Sequence, residues 1–314
     1  MPAKNFLYHL LALLVVAIWG VTFISTKVLI NNGLHPSQIF VIRFVIAYAG
    51  IWVLELAGKE KPRLWSASLR DEAVFLLLGI SGGSMYFLTE NTALAYTQAS
   101  NVAFIVSTAP LVTVLLTLAA RKLFKGDFID ALEPVRFNWI LVLGTLLALG
   151  GVALIAFDGS RFQMSLRGDL LAFGAALCWG VYSIFMGKMS ADYGEVFATR
   201  KVFFYGLVTI IPFLLAGEGL PAPEILGRGA VIGNLLFLGL IASLACFIIW
   251  NKVMVRLGHF TATNFVYLNP FFTLIAAIII LGERLTPLSA AGSLAIFLGV
   301  FLAGRHKDIT ARKK

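Results

Sequence analysis

Three charged side chains interrupt stretches that are otherwise apolar: Lys27, Arg43 and Glu90. A charge in hydrocarbon is costly, so each needs a partner, a wet cavity or a route to the interface. Counted from the same end of their apolar runs they lie about four, seven and six residues in, which at ~1.5 Å per residue is roughly 5 to 10 Å of depth. At a shared depth the three can meet. A guanidinium and a carboxylate facing one space can hold the two ends of a zwitterion, or open and close as a gate at the outer end of a pathway. The same residues admit an architectural reading, in which Arg43 and Glu90 pair to lock two helices and Lys27 snorkels outward. Glu90 carries a further option: burial raises a carboxylate's affinity for a proton, so it could bind one and couple to a proton gradient.

Trp19 and Trp179 sit in the middle of apolar runs, away from the interfaces where tryptophan usually collects. Tyr182 lies one turn from Trp179, Tyr86 one turn before Glu90, and Asn264 shares a face with Tyr267. Asn91, Asn251 and Asn269 complete the candidate substrate-binding set. Such a set supplies apolar walls with a few hydrogen-bonding groups, the make-up of a small-molecule site. Any single member serves equally well in helix packing and interhelical hydrogen bonds. Two prolines also lie mid-run, Pro110 in STAP and Pro270 in YLNP. Each removes a backbone donor and frees a carbonyl one turn back, at Val106 and Val266. In a bilayer such carbonyls persist where protein or a water-filled cavity satisfies them, so paired breaks point to a binding site. A kink needed for packing is compatible with that reading.

The elements that must position these residues are set by composition. The chain of 314 residues is 59% hydrophobic and 13% charged, whereas a soluble domain carries roughly a quarter charged residues. This composition is that of an all-α membrane protein. Ten apolar runs, over 6–30, 36–57, 73–95, 100–120, 138–157, 168–189, 196–216, 230–252, 260–281 and 286–304, approach the ~17–25 residues a crossing helix needs. The first is too long for a signal peptide and lacks a small-x-small site followed by a soluble domain, so it is read as a retained span. Lys and Arg gather at the N-terminus, in every second connection and in the tail, among them Lys4, Lys59, Lys61, Arg63, Arg121, Lys122, Lys188, Arg200, Lys252 and Arg305. Both termini are therefore expected in the cytoplasm. The net charge of +9 follows from that inside bias and a basic tail beside anionic lipid, with no nucleic-acid partner required. Cys178 and Cys246 fall inside runs as small packing residues, and His9, His35, His259 and His306 stand singly. Neither a metal nor a cofactor is expected.

The chain also repeats itself. Shifted by 160 residues, Trp19-Gly20 falls on Trp179-Gly180, Asn91 on Asn251 and Pro110 on Pro270. Gly144 and Gly151 match Gly292 and Gly299 at a shorter offset, which puts extra residues of the first copy near 125–136. Residues 1–158 and 159–314 are thus two five-helix copies. Five is odd, so the second copy enters from the opposite side, giving ten transmembrane helices as two inverted repeats. Such halves can exchange shapes and expose a central site to either face in turn. The glycine pairs make small helix faces for packing between halves or for a dimer contact, so monomer and homodimer both remain open.

Order and spacing of these features resemble the EamA-type permeases of the drug/metabolite transporter superfamily. The likeness rests on the Trp-Gly of each half, Lys27, Pro36 followed by Arg43, ALAYTQAS at 93–100 leading to Pro110, and LGERLTP at 281–287. It implies a ten-helix, five-plus-five inverted-repeat carrier that usually exports small metabolites such as amino acids. One departure is that the first half has no acidic counterpart of Glu283. A membrane enzyme fits poorly: DFID at 127–130 lies in the inserted stretch, and SGGS at 81–84 has no mid-run histidine to activate it. A passive channel or a membrane sensor remains the alternative class. The expectation is a multi-pass protein of the bacterial inner membrane that moves a small amphipathic substrate by alternating access.

Overall fold

The apolar runs start and stop at residues that begin and end helices. Pro36 occupies a first-turn position where its missing N–H costs nothing, and His35 and Gln38 cap each other's backbone there. Ser68 accepts from the Asp71 amide, with Asp71 and Glu72 in the first turn beside the helix dipole. Gly194 and Gly258 take the left-handed φ values of 84° and 83° at tight turns between consecutive helices, a conformation that costs glycine little.

A computed structural model describes residues 3–58, 62–97, 99–123, 139–156, 165–217, 219–281 and 286–311. Among them the helices join into ten rods and no strand occurs. The first half holds α1 (Ala3–Asn31), α2 (Pro36–Leu56), α3 (Leu69–Tyr96), α4 (99–123) and α5 (Trp139–Ala156). The second holds α6 (Leu166–Tyr193), α7 (Glu195–Ala216), α8 (Gly229–Leu257), α9 (259–281) and α10 (Pro287–Ala311). Eight rods are long and apolar enough to cross a membrane, while α5 and α10 carry the shorter apolar stretches Val142–Leu154 and Ala290–Ala303. Leu143, Leu146, Ile279 and Phe301 are exposed on the outer surface, as expected where lipid is the solvent. The inserted stretch at 125–136, Glu283 and the boundary at 158/159 lie outside the described residues.

Four helices depart from regular geometry, and they do so in equivalent pairs. α3 is π-helical over Ile80–Ser84 and α8 over Phe237–Ala245. α4 breaks between Val106 and Ala109, and α9 narrows to a 3-10 turn over Phe265–Leu268, each just before its proline.

Packing is reciprocal between the halves. Gly20 of α1 presses on Asn269, Phe272 and Thr273 of α9, and the Thr273 hydroxyl donates to the Gly20 carbonyl at 2.9 Å. Its equivalent, Gly180 of α6, presses on Val112, Thr113 and Leu116 of α4. Gly79 of α3 abuts Tyr205 and Gly206 of α7, while Gly239 of α8 abuts Arg43 and Ile46 of α2. The two members of each pair are related by the 160-residue shift. The glycine faces expected to serve either the halves or a dimer are used within one chain: Gly144 lies on Gly299 and Ala303, and Gly151 on Gly292 and Ile296, closing α5 against α10.

A methyl group at Gly151 would run into the α10 backbone, whereas one at Gly150 meets nothing within 4 Å. Gly151→Ala is expected to lower stability by about 1–3 kcal/mol. Gly150→Ala is expected to leave it unchanged or raise it by up to about 1 kcal/mol. Thermal unfolding of the detergent-solubilised variants measures both.

Candidate substrate site

Reciprocal packing leaves a small cavity of about 20 Å³ where the halves meet, in this conformation little more than room for a water molecule. Trp19, Thr22 and Phe23 reach it from α1, Arg43 from α2, and Tyr86, Phe87 and Glu90 from α3. The second half contributes Trp179 and Phe247. Both helix breaks also arrive here, as Val106 from α4 and Val266 and Asn269 from α9. The freed Val266 carbonyl receives the Ser107 hydroxyl at 3.4 Å, which ties the two breaks together. Counted along α1, α2 and α3, the space lies on the Lys27 side of the tryptophan pair.

Arg43 is 2% exposed. Its Nε donates to Ser243 Oγ of α8 at 2.7 Å, and its guanidinium lies 4.3 Å from the centre of the Phe87 ring. Glu90, equally buried, has Arg43 and Tyr86 as its electrostatic neighbours. Among the described residues Arg43 and Glu90 close no direct ion pair. They line the same small cavity with opposite charges. Aromatic rings form its floor: Trp19 meets Trp179 edge-on at 5.2 Å and Tyr86 meets Trp179 at 5.3 Å, while Trp250 packs on Trp19 at 5.0 Å without reaching the cavity. Each such pair contributes about 0.5–1.5 kcal/mol beyond its buried area. The two equivalent tryptophans differ in one respect. Trp19 Nε1 donates to the Ala242 carbonyl at 3.0 Å, whereas Trp179 Nε1 has no hydrogen-bond partner, and neither does Asn269 Oδ1. A donor and an acceptor are therefore unsatisfied at the cavity wall, where a ligand would repay their desolvation.

Of the residues singled out in the sequence, Trp19, Arg43, Tyr86, Glu90, Trp179 and Asn269 line this space, and others do not. Lys27 departs from the expected cluster: its Nζ donates to the carbonyls of Leu94 at 2.5 Å and Thr97 at 3.3 Å, neutralising the C-terminal end of α3 one turn beyond Glu90. Asn91 Nδ2 donates to the Pro36 carbonyl at 3.3 Å. Tyr182 donates to Asn251 Oδ1 at 2.7 Å and Asn251 Nδ2 to Thr199 Oγ1 at 2.8 Å, an interhelical chain buried away from the cavity. Asn264 ends the helical segment just before the narrowed section of α9, Tyr267 lies within that section, and both stay off the wall. Sequence reasoning passed over Phe87, Phe247 and Ser243. A signal for the first two existed, because Phe87 and Phe247 are related by the same 160-residue shift as the tryptophans.

The end opposite Lys27 is bridged across the halves by charge. Arg200 of α7 pairs with Glu55 of α2 at 2.7 Å and donates to the Arg63 carbonyl. Lys201 pairs with Glu72 of α3 at 2.8 Å, and Tyr205 donates to the same carboxylate at 2.6 Å. Tyr193 of α6 donates to Asp71 at 2.6 Å. At the Lys27 end the cross-half contacts among the described residues include the hydrogen bonds Asn101 to Asp169 at 2.6 Å and Ser25 to Asn234 at 2.5 Å and the Arg167 guanidinium 4.3 Å from the Tyr96 ring, with no ion pair.

The sequence profile of the EamA-like transporter family matches residues 6–126 and 166–305. Over 94% of this chain and 97% of its own, a crystal structure superimposes with a TM-score of 0.69 at 18% identity, a likeness of fold alone. A "Probable amino-acid metabolite efflux pump" of Salmonella typhimurium is 27% identical, covering 93% of each chain. A "Probable terminal-alkyne amino-acid exporter" of Streptantibioticus cattleyicolor is 26% identical over 93% of this chain and 92% of its own.

Trp19→Phe and Trp179→Phe remove the same ring volume, but only the first breaks a hydrogen bond. Trp19→Phe is expected to be the less stable by about 0.5–1.5 kcal/mol, read as a lower midpoint of thermal unfolding in detergent.

Proposed function

The chain belongs to the EamA-like transporter family, and on that premise we propose that it is a carrier exporting amino-acid-like zwitterions across a bacterial inner membrane by alternating access. The observation that carries the reading is the pair Arg43 and Glu90, facing one aromatic-walled space without closing on each other. A substrate carboxylate would take the guanidinium and its ammonium the Glu90 carboxylate, with the Trp179 N–H and the Asn269 carbonyl oxygen as the neutral contacts. Relatives named as an amino-acid exporter and an amino-acid metabolite efflux pump support the same substrate class and direction.

In this proposal residues 1–158 and 159–314 are inverted repeats of five helices each, and both termini are cytoplasmic. The reciprocal contacts of α1 with α9 and α6 with α4 support the repeats, and the bias of Lys and Arg to the Arg200 end supports the orientation. The Lys27 end is then periplasmic. Ion pairs closing the cytoplasmic end favour a gated carrier over an open channel. A single chain completes the cavity, so one copy suffices. Glu90 is the carboxylate through which a proton would be exchanged for substrate.

Flux of labelled amino acids into liposomes holding the purified protein tests this, with and without a pH gradient. Saturable counterflow is expected. Arg43→Gln should raise the half-saturating concentration roughly ten- to hundred-fold, the worth of a hydrogen bond to a charged group. Glu90→Gln should abolish the response to the pH gradient while exchange persists. Flux that rises linearly with concentration, or indifference to both substitutions, would overturn the reading.

A further inference from the structure

The repeat gives every cavity residue of the first half an equivalent in the second, 160 positions later. For Trp19, Phe87 and Val106 the equivalents are Trp179, Phe247 and Val266, which line the same cavity. The other five, Thr22, Phe23, Arg43, Tyr86 and Glu90, map onto Tyr182, Ser183, Phe203, Cys246 and Trp250. None of these touches the cavity. Tyr182, Ser183 and Trp250 lie just beyond Trp179 and Phe247 on the Arg200 side, Phe203 lies about one turn along α7 from Arg200, Cys246 sits beside Phe247, and all five are at most 1% exposed.

An independent observation falls on the same group. The Ser183 hydroxyl and the Trp250 indole N–H have no hydrogen-bond partner although both residues are wholly buried. Several buried threonine hydroxyls here bond back to the preceding turn, as Thr113 does to Ala109 at 2.7 Å and Thr199 to Glu195 at 2.6 Å, whereas Ser81 and Ser190 share with Ser183 the lack of a partner. A donor left unsatisfied is a cost that packing alone does not explain. Contact with water or substrate in another conformation does explain it.

We infer that Tyr182, Ser183, Phe203, Cys246 and Trp250 form a second half-site, closed in this structure, that lines the substrate cavity when it opens toward the Arg200 end. The inference rests on the inverted-repeat reading proposed above. Its chemistry differs from that of the open half-site in one way: Phe203 and Trp250 stand where Arg43 and Glu90 stand in the first half. The closed half-site therefore offers aromatic faces, two hydroxyls and an indole N–H without a charge pair, a surface for the uncharged part of a substrate and not its zwitterionic head.

Cys246 is a native reporter of this half-site once Cys178→Ser removes the other thiol. In liposomes of known orientation, a membrane-impermeant thiol reagent is applied from either face to that variant, and to Thr22→Cys and Ser183→Cys made in a background free of native thiols. Counterflow of amino acid is measured in parallel. Thr22→Cys is expected to label several-fold faster from the face of the Lys27 end, and both Cys246 and Ser183→Cys several-fold faster from the opposite face. Labelling of all three from one face, or protection of Cys246 and Ser183→Cys from both, overturns the assignment whether or not counterflow is seen. Loss of counterflow with the opposed labelling intact would instead strike at the amino-acid reading and leave the half-site standing.

Discussion

An arginine cannot rest in the apolar interior of a bilayer protein unless the structure is arranged around it, and the arrangement around Arg43 organises this molecule. Its Nε is anchored to Ser243 of α8, its guanidinium lies over Phe87 of α3, and Glu90, lining the same cavity, balances its charge without a direct ion pair. Those three contacts draw α2, α3 and α8 together from both halves. A direct pair with Glu90 would have satisfied the charge and sealed the cavity. Keeping the two apart leaves polar capacity for something else to fill, which is the physical content of a binding site.

Around that centre the protein combines close contact with weakness in chosen places. Glycines let α1 sit on α9, α6 on α4, and α5 on α10 at backbone distance, the kind of contact that holds helices together where no hydrophobic effect does. The interruptions in α3, α4, α8 and α9 do the reverse, since π sections and proline breaks are where helices bend at low cost. Both kinds of feature recur at equivalent positions of the two halves. Charge does not follow that symmetry. Among the described residues, ion pairs of Arg200 and Lys201 bind the halves at one end, and hydrogen bonds with a cation–π contact do so at the other.

The sequence conveyed depth along each helix well and direction around it poorly. Arg43, Glu90, Trp19 and Trp179 declare themselves because a charge or an indole in mid-span needs a special surrounding, and all four line the cavity. Pro110 and Pro270 declared the breaks for the same reason, and Val106 and Val266, the carbonyls they free, stand at the wall. Asn91, Tyr182 and Asn251 have the right depth but the wrong azimuth, and they bond helix to helix instead. A helix that is apolar all round carries no periodic stripe from which its facing can be read. Lys27 was placed at the correct depth too, yet the carbonyls ending α3 were nearer than Glu90. Backbone acceptors of that kind are invisible in a list of side chains.

The central claim is that one cavity is shared by two halves that open at opposite ends in turn. Spin labels replacing Ala95 and Leu170 would straddle the seam at the Lys27 end, and labels replacing Ala67 and Ala191 the seam at the Arg200 end. Pulsed electron resonance distances in liposomes, taken with and without a transported substrate, report both seams in one preparation. The account predicts that the two distances shift in opposite senses when substrate is added. Widening of both together, or no change at either seam with substrate bound, would contradict it.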